Sequence, residues 1–183
     1  PGEEGRRRSG AGNLGGGALS AGDVDADGDV DLVCAKGQVN VLTNCSAGAF
    51  GWQCSLGAGY TCGIGDLNGD GWQDAVYGTA TQLVVRLGTA SGPDGEERRW
   101  TSGVASGVRS VTLGDLDGDG DLDVVVAFLD VDGDAQVWLN DGSGGLALAG
   151  TADGARDSGT MLLAVADLNR DGCDDVVAAK WNA

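Results

Sequence analysis

The sequence contains no histidine among its 183 residues and has no unbroken apolar stretch of the length that a membrane helix requires. Without histidine, the chain cannot build a Ser-His-Asp triad or a histidine-based zinc site. A transmembrane helix needs about 20 consecutive, mostly apolar residues, so we expect no membrane span. These absences favour a binding or structural protein over an enzyme.

Basic residues are also scarce, since 11 Lys and Arg stand against 28 Asp and Glu, for a formal net charge of −17. Nucleic acids and anionic membranes attract basic surfaces, so neither is an expected partner. A charge of this size repels itself in the compact state unless cations neutralise it. The position of the acidic residues therefore decides what the chain binds.

One acidic pattern of nine residues occurs four times. Positions 1, 5 and 9 are always Asp, position 3 is Asp or Asn, and position 6 is Gly. A single Asp/Gly run is often only a polar turn, but four copies with the same spacing indicate a shared ligand. The copies are Asp23–Asp31, Asp66–Asp74, Asp115–Asp123 and Asp167–Asp175.

The spacing of these oxygens suits calcium, a hard cation that takes six to eight oxygen ligands. Side chains at positions 1, 3, 5 and 9 and the backbone carbonyl at position 7 can surround one ion, while glycine at position 6 allows a sharp turn. We predict about four Ca²⁺ ions, one per loop. The predicted ligands are Asp23, Asp25, Asp27, Asp29 and Asp31; Asp66, Asn68, Asp70, Trp72 and Asp74; Asp115, Asp117, Asp119, Asp121 and Asp123; and Asp167, Asn169, Asp171, Cys173 and Asp175.

Other calcium motifs do not fit. An EF-hand places a glutamate at position 12, where this chain has Cys34, Tyr77, Val126 and Ala178. A fifth acidic run at 130–134 lacks both the turn glycine and the last aspartate. We predict that this run is a solvated turn, with a weak metal site as the alternative.

Extended segments flank every loop. SVTLGD at 110–115 leads into the third loop and DVVVAF at 123–128 follows it, and such short β-branched runs favour strands. Each loop therefore joins two antiparallel strands, and each unit holds four candidate strands, as in a propeller blade. We predict an all-β chain with an N-terminal segment at 1–17, repeats at 18–60, 61–109 and 110–160, and a partial repeat at 161–183.

The D-x-[DN]-x-D-G-x-x-D loops between strands, with tails such as VWLNDGSGGL at 137–146, resemble the FG-GAP/VCBS repeats. The resemblance covers about residues 18 to 183, although the strict Phe-Gly signature is reduced to Ala49-Phe50-Gly51. It implies β-propeller blades of the integrin α type, which serve in protein adhesion or, in related lectins, in carbohydrate binding. Propellers of this family have more blades than this chain shows, so we expect a partial propeller whose open edges permit self-assembly. A ring of four blades is the alternative.

The five cysteines point to an oxidising compartment. Four lie between residues 34 and 62, and one pairing would join Cys45 to Cys54 and Cys34 to Cys62, although the sequence leaves the connectivity open. Cys173 is left over and is either free or paired with another chain. Disulfides and calcium together predict an extracellular or cell-surface location.

Three functions remain open at this stage. The first is extracellular recognition of a protein or glycan, in which Trp72 at position 7 of its loop is a candidate contact. The second is a structural part of a matrix or surface filament, and the third is a non-catalytic part of a polysaccharide-active enzyme. We expect the other tryptophans to pack inside the fold and Lys36 and Lys180 to be ordinary surface residues; the tryptophans are Trp52, Trp100, Trp138 and Trp181.

Overall fold

The computed structural model describes residues 17–44, 49–103, 107–128, 135–152 and 162–179, and these residues form strands and loops without a helix. The fourteen strands are β1 (Ala18–Gly22), β2 (Asp31–Ala35), β3 (Val39–Asn44), β4 (Phe50–Gly57), β5 (Thr61–Gly65), β6 (Asp74–Gly78), β7 (Gln82–Arg86), β8 (Glu97–Thr101), β9 (Val108–Gly114), β10 (Asp123–Phe128), β11 (Ala135–Asn140), β12 (Leu146–Ala152), β13 (Leu162–Ala166) and β14 (Asp175–Ala179).

The strands pair in chain order into antiparallel sheets, which we call blades. Blades 1, 2 and 3 each have four strands, β1 to β4, β5 to β8 and β9 to β12, and blade 4 is the pair β13–β14. Every pairing joins strands that are consecutive in the chain, so each blade is a meander of hairpins. The prediction of all-β blades with four antiparallel strands is confirmed.

The core lies between the faces of neighbouring blades. On β6, Ala75 and Tyr77 face blade 1, whereas Val76 between them faces blade 3. Successive side chains of a strand point to opposite faces, so a strand covered on both sides must be apolar at every position. This explains why β6 and β10 are buried along their whole length.

The first strands of the blades are neighbours, because β1 packs on β5, β5 on β9, and β9 on β13. These four inner strands run from the start of each blade to its acidic loop, so the acidic loops share one end of the blade assembly.

Trp138 is buried in the core between blades 2 and 3, and Trp100 is half-buried against it, as expected. The side chain of Trp52 and all of Trp181 and Lys180 lie outside the described residues, and no helix in the described part of the chain could cross a bilayer.

The predicted bridge between Cys34 and Cys62 is wrong, because Cys34, Cys54, Cys62 and Cys173 are free thiols. Cys62 lies in the core between blades 1 and 2 together with Val33. Cys34 follows Val33 on β2, and successive side chains of a strand point to opposite faces. The Cys62 thiol instead donates to the carbonyl oxygen of Val33 at 3.3 Å. Cys45 lies outside the described residues.

Candidate metal centres

Each acidic loop joins the first two strands of its blade: β1 to β2, β5 to β6, β9 to β10, and β13 to β14. The aspartate at position 1 directly follows the inner strand, and its carboxylate accepts hydrogen bonds that fold the loop back on itself. In the second loop, one oxygen of Asp66 accepts from the backbone N–H of Gly69 at 2.8 Å and the other accepts from Gly71 at 2.8 Å. Asp115 and Asp167 accept equivalent bonds from positions 4 and 6 of their own loops, and Asp23 accepts from positions 5 and 6 of its loop.

The aspartate at position 5 accepts a hydrogen bond from the backbone N–H of position 7 in all four loops. The N–H donor and the carboxylate acceptor are 2.8 Å apart in Asp29 and Asp27, 2.8 Å in Trp72 and Asp70, 2.9 Å in Asp121 and Asp119, and 3.0 Å in Cys173 and Asp171. The bond fixes the position 5 carboxylate against the backbone of its own loop. It leaves the backbone carbonyl of position 7 available as an acceptor.

The aspartate at position 9 has a structural role that the sequence analysis missed. Asp31, Asp74 and Asp123 are each fully buried. Asp74 accepts from the N–H of Leu67 at 2.8 Å and from the N–H of Gly88 at 2.6 Å. Asp31 accepts in the same way from the N–H groups of Val24 and Asn44. Asp123 accepts from the N–H groups of Leu116 and Asn140.

In these three loops, the position 9 carboxylate therefore ties the acidic loop to the far end of the blade's third strand. Burial raises the pKa of Asp74 and of Asp123, and the backbone N–H donors oppose this shift. Each carboxylate oxygen can accept more than one bond, so the same group can also face a cation. In the fourth loop, Asp175 accepts from Leu168 in the same way at 3.0 Å.

Two positions in every loop have left-handed backbone. Position 6 has φ between 88° and 95° and is glycine in all four copies, Gly28, Gly71, Gly120 and Gly172, as the sequence predicted. Position 4 also has a positive φ: it is Gly69 and Gly118 in two loops, but Ala26 with φ 55° and Arg170 with φ 65° in the others. Side chains other than glycine are strained there.

Oxygens converge inside these loops. Carboxylate oxygens of Asp23, Asp25 and Asp27 lie within 4.8 Å of one another, and so do those of Asp115, Asp117 and Asp123. In the second and fourth loops, position 3 is an asparagine whose amide donates to the position 5 aspartate, at 2.8 Å for Asn68 and 2.9 Å for Asn169.

One oxygen in the first loop is buried with no hydrogen-bond partner, Oδ1 of Asp25. Burial is the largest cause of the raised pKa of Asp25, and the charges of Asp31, Asp27 and Asp23 add to it. A buried carboxylate oxygen without a donor is costly, and a cation inside the loop would remove this cost. The residues present therefore fit a hard divalent cation.

Neighbouring loops pack closely, because a glycine ends three of the inner strands. A Cβ on Gly22 would lie 3.6 Å from Oε1 of Gln73, and one on Gly65 would lie 2.7 Å from Cδ1 of Leu122. On Gly114 it would lie 2.6 Å from Oδ2 of Asp174. In each case the contacting residue is position 8 of the next blade's loop. A glycine directly before position 1 therefore lets neighbouring loops approach one another. The sequence carries the signal as a Gly-Asp pair at the start of three loops.

Asn140 joins the second and third loops. Its side-chain amide donates to the backbone carbonyl of Leu67 at 2.7 Å and to that of Leu122 at 3.1 Å. Trp72, the candidate partner contact of the sequence analysis, is half-buried, with its Cβ 2.8 Å from where a Cβ on Gly88 would lie. The weak alternative site at 130–134 lies outside the described residues.

The comparisons with known proteins agree with this geometry. The model of the FG-GAP-like repeat matches residues 66–126 and 118–178, which together make up more than half of the chain. Each match starts within an acidic loop and ends in the strand after the next loop. The chain belongs to the FG-GAP-like repeat family.

No curated protein matches the chain. Among solved structures, the crystal structure of Sqt1 from Saccharomyces cerevisiae, which has a propeller-like fold, superposes with a TM-score of 0.59 at 10% sequence identity. The match covers 85% of this chain and 40% of Sqt1, so the chain spans less than half the length of that protein. At this identity the likeness concerns the fold alone.

Proposed function

We propose that the chain is a calcium-binding module of the FG-GAP type that acts in extracellular recognition or adhesion. The observation that carries the calcium part is the buried, unpartnered Oδ1 of Asp25, in a loop geometry that recurs in all four copies. The close approach of carboxylate oxygens of Asp23, Asp25 and Asp27 in the first loop, and of Asp115, Asp117 and Asp123 in the third, supports this proposal. All of the predicted ligands are oxygens, which suits calcium.

Bound calcium would join the oxygens of a loop and neutralise their mutual repulsion. The chain's own hydrogen bonds already hold the position 1 and position 5 carboxylates in place, so little rearrangement is needed on binding. Four ions would reduce the formal charge of −17 to about −9. Loops of this kind bind calcium at the millimolar levels found outside cells, which supports an extracellular location.

A recognition role follows from the way the blades are built. The blade interiors are apolar and packed, so the outer loops and the two ends of the inner strands are the surfaces that can vary without cost to the core. We propose a protein or glycan as the partner. Nucleic acid is a poor fit to the acidic surface. A binding role also suits the buried position 9 aspartates, which are engaged by backbone amides and so are badly placed for proton transfer.

The proposal is tested by screening the folded chain against a glycan array and a panel of extracellular-matrix proteins, in millimolar calcium and again in chelator. We expect saturable, calcium-dependent binding to at least one defined partner. The variant Asp119→Ala serves to link the binding to the loops. A blank result on both panels, with protein whose fold is verified, would favour the structural role in a matrix or filament and contradict recognition.

A further inference from the structure

A pocket of about 660 Å³ lies at the end of the inner strands that faces away from the acidic loops. It is lined by the first residues of β1, β5, β9 and β13 and by the turn after β2. Pockets of about 300–1,000 Å³ are typical of small-ligand sites. The blades therefore enclose a second concave surface, separate from the predicted calcium loops.

The charge of this pocket is opposite to that of the chain. Among the described residues, its lining contains Lys36 and Arg109 and no acidic residue, although the chain has 28 acidic residues against 11 basic ones. Lys36 comes from blade 1 and Arg109 from blade 3, so the fold brings together two cations that are far apart in the sequence.

Neither cation is engaged elsewhere in the described part of the chain. The ion pairs there use Arg86, Arg98 and Arg99 of blade 2, and none involves Lys36 or Arg109. Both of these side chains are exposed at the pocket. Within the described part of the chain, an anionic group entering the pocket would meet two cations that form no ion pair, and no competing carboxylate.

The rest of the lining suits a ring that carries hydroxyl groups. Tyr60 lines the pocket with 56% of its surface exposed, which leaves an aromatic face and a phenolic hydroxyl for a ligand. Ser110, which is half-buried, lines the same pocket and offers a hydroxyl group. The buried residues Thr61, Val108 and Val111 form the rest of this part of the lining.

We propose that this pocket binds a carboxylate-bearing sugar of the uronic acid class. Lys36 and Arg109 would hold the carboxylate, Tyr60 would lie against the sugar ring, and Ser110 would bind one of its hydroxyl groups. The inference rests on the proposed recognition function and gives it a ligand class. It places the ligand at the opposite end of the inner strands from the acidic loops.

The test titrates the full chain, in calcium, with glucuronate, its methyl ester and glucose, following backbone amide signals by NMR. Glucuronate should shift the signals of Lys36, Tyr60 and Arg109 and bind at least tenfold more tightly than the ester or glucose. Equal binding of the ester would overturn the proposal, because the ester lacks the charge. Binding of a short glutamate-rich peptide without binding of glucuronate would also overturn it.

Variants give a second readout. Lys36→Gln and Arg109→Gln should each weaken glucuronate binding at least tenfold, while Arg99→Gln, which removes the same charge from β8, should leave it unchanged. A loss of the same size in Arg99→Gln would contradict a specific site. Calcium binding, measured by calorimetry on the same sample, separates the two proposals. Calcium binding without glucuronate binding overturns only the proposal that the pocket binds a uronic acid. Glucuronate binding without calcium binding overturns only the proposal that the acidic loops bind calcium.

Discussion

Asp115 and Asp174 exchange two hydrogen bonds between the acidic loops of neighbouring blades. The N–H of Asp174 donates to the carbonyl oxygen of Asp115 at 2.6 Å, and the N–H of Asp115 donates to Oδ2 of Asp174 at 3.2 Å. Asp115 is position 1 of the third loop and Asp174 is position 8 of the fourth. A cation bound in the third loop would therefore restrict the motion of Asp115 and, through these two bonds, that of Asp174 in the fourth loop.

We expect Asp119→Ala to remove one calcium site and leave the others in place. Asp119 is position 5 of the third loop, a predicted side-chain ligand whose carboxylate accepts from the N–H of Asp121. Calorimetric titration should give a stoichiometry of about three ions in place of about four. The matched control is Asp121→Ala, which removes the same charge at position 7, where the predicted ligand is the backbone carbonyl. A loss of one site in both variants would show that charge, and not ligand geometry, decides binding.

Backbone strain at position 4 predicts that opposite substitutions in the first and second loops change the free energy of unfolding in opposite directions. Ala26 has φ 55° and Gly69 has φ 69° at the same loop position. Because this conformation strains any residue with a Cβ, Ala26→Gly should raise the free energy of unfolding by about 1 kcal/mol, and Gly69→Ala should lower it by about 1 kcal/mol. Urea unfolding measures both changes. Shifts of the same sign would contradict the strain argument.

Blades 2 and 3 meet at a glycine that has no room for a side chain. A Cβ on Gly78 would overlap the β-branched side chain of Val108, which cannot move away without shifting β9. We expect Gly78→Ala to lower the free energy of unfolding by about 1–3 kcal/mol. Gly150→Ala on the outer strand β12 is the control, since nothing lies within 4 Å of its Cβ position. Equal melting temperatures for the two variants would argue against this packing.

The cysteines offer a test of the corrected pairing. Burial raises the pKa of the Cys62 thiol to about 12, so this thiol stays protonated at neutral pH and should resist alkylation in the folded protein. In denaturant without reductant, mass spectrometry should find Cys34 and Cys62 alkylated separately. A peptide carrying a Cys34–Cys62 disulfide would contradict the structure.

Much of the fold followed from the sequence because its signals are local. The glycines at position 6, the strands on either side of each loop, and the four-stranded units all depend on residues close together in the chain. The left-handed position 4 was also readable, since Gly69 and Gly118 occupy it in two loops, but Ala26 and Arg170 obscured the pattern.

The remaining features depend on contacts between distant residues, which no local pattern encodes. The structural role of Asp74 depends on a hydrogen bond from the N–H of Gly88, which is separated from Asp74 in the chain by strands β6 and β7. The disulfide prediction failed because cysteine spacing does not reveal which face of a strand each thiol occupies. The pocket with Lys36 and Arg109 exists only once blades 1 and 3 are placed around the inner strands.

The most direct test of the central claim is thermal unfolding in millimolar calcium, in excess chelator, and in millimolar magnesium as a control. A ligand that binds only the folded state at a hundred times its Kd stabilises it by about 2.7 kcal/mol per site. For a chain of this size, that amounts to roughly 5–10 °C in Tm for each site. The account predicts a Tm at least that much higher in calcium than in chelator, with a smaller effect of magnesium. The same Tm in calcium and in chelator would contradict it.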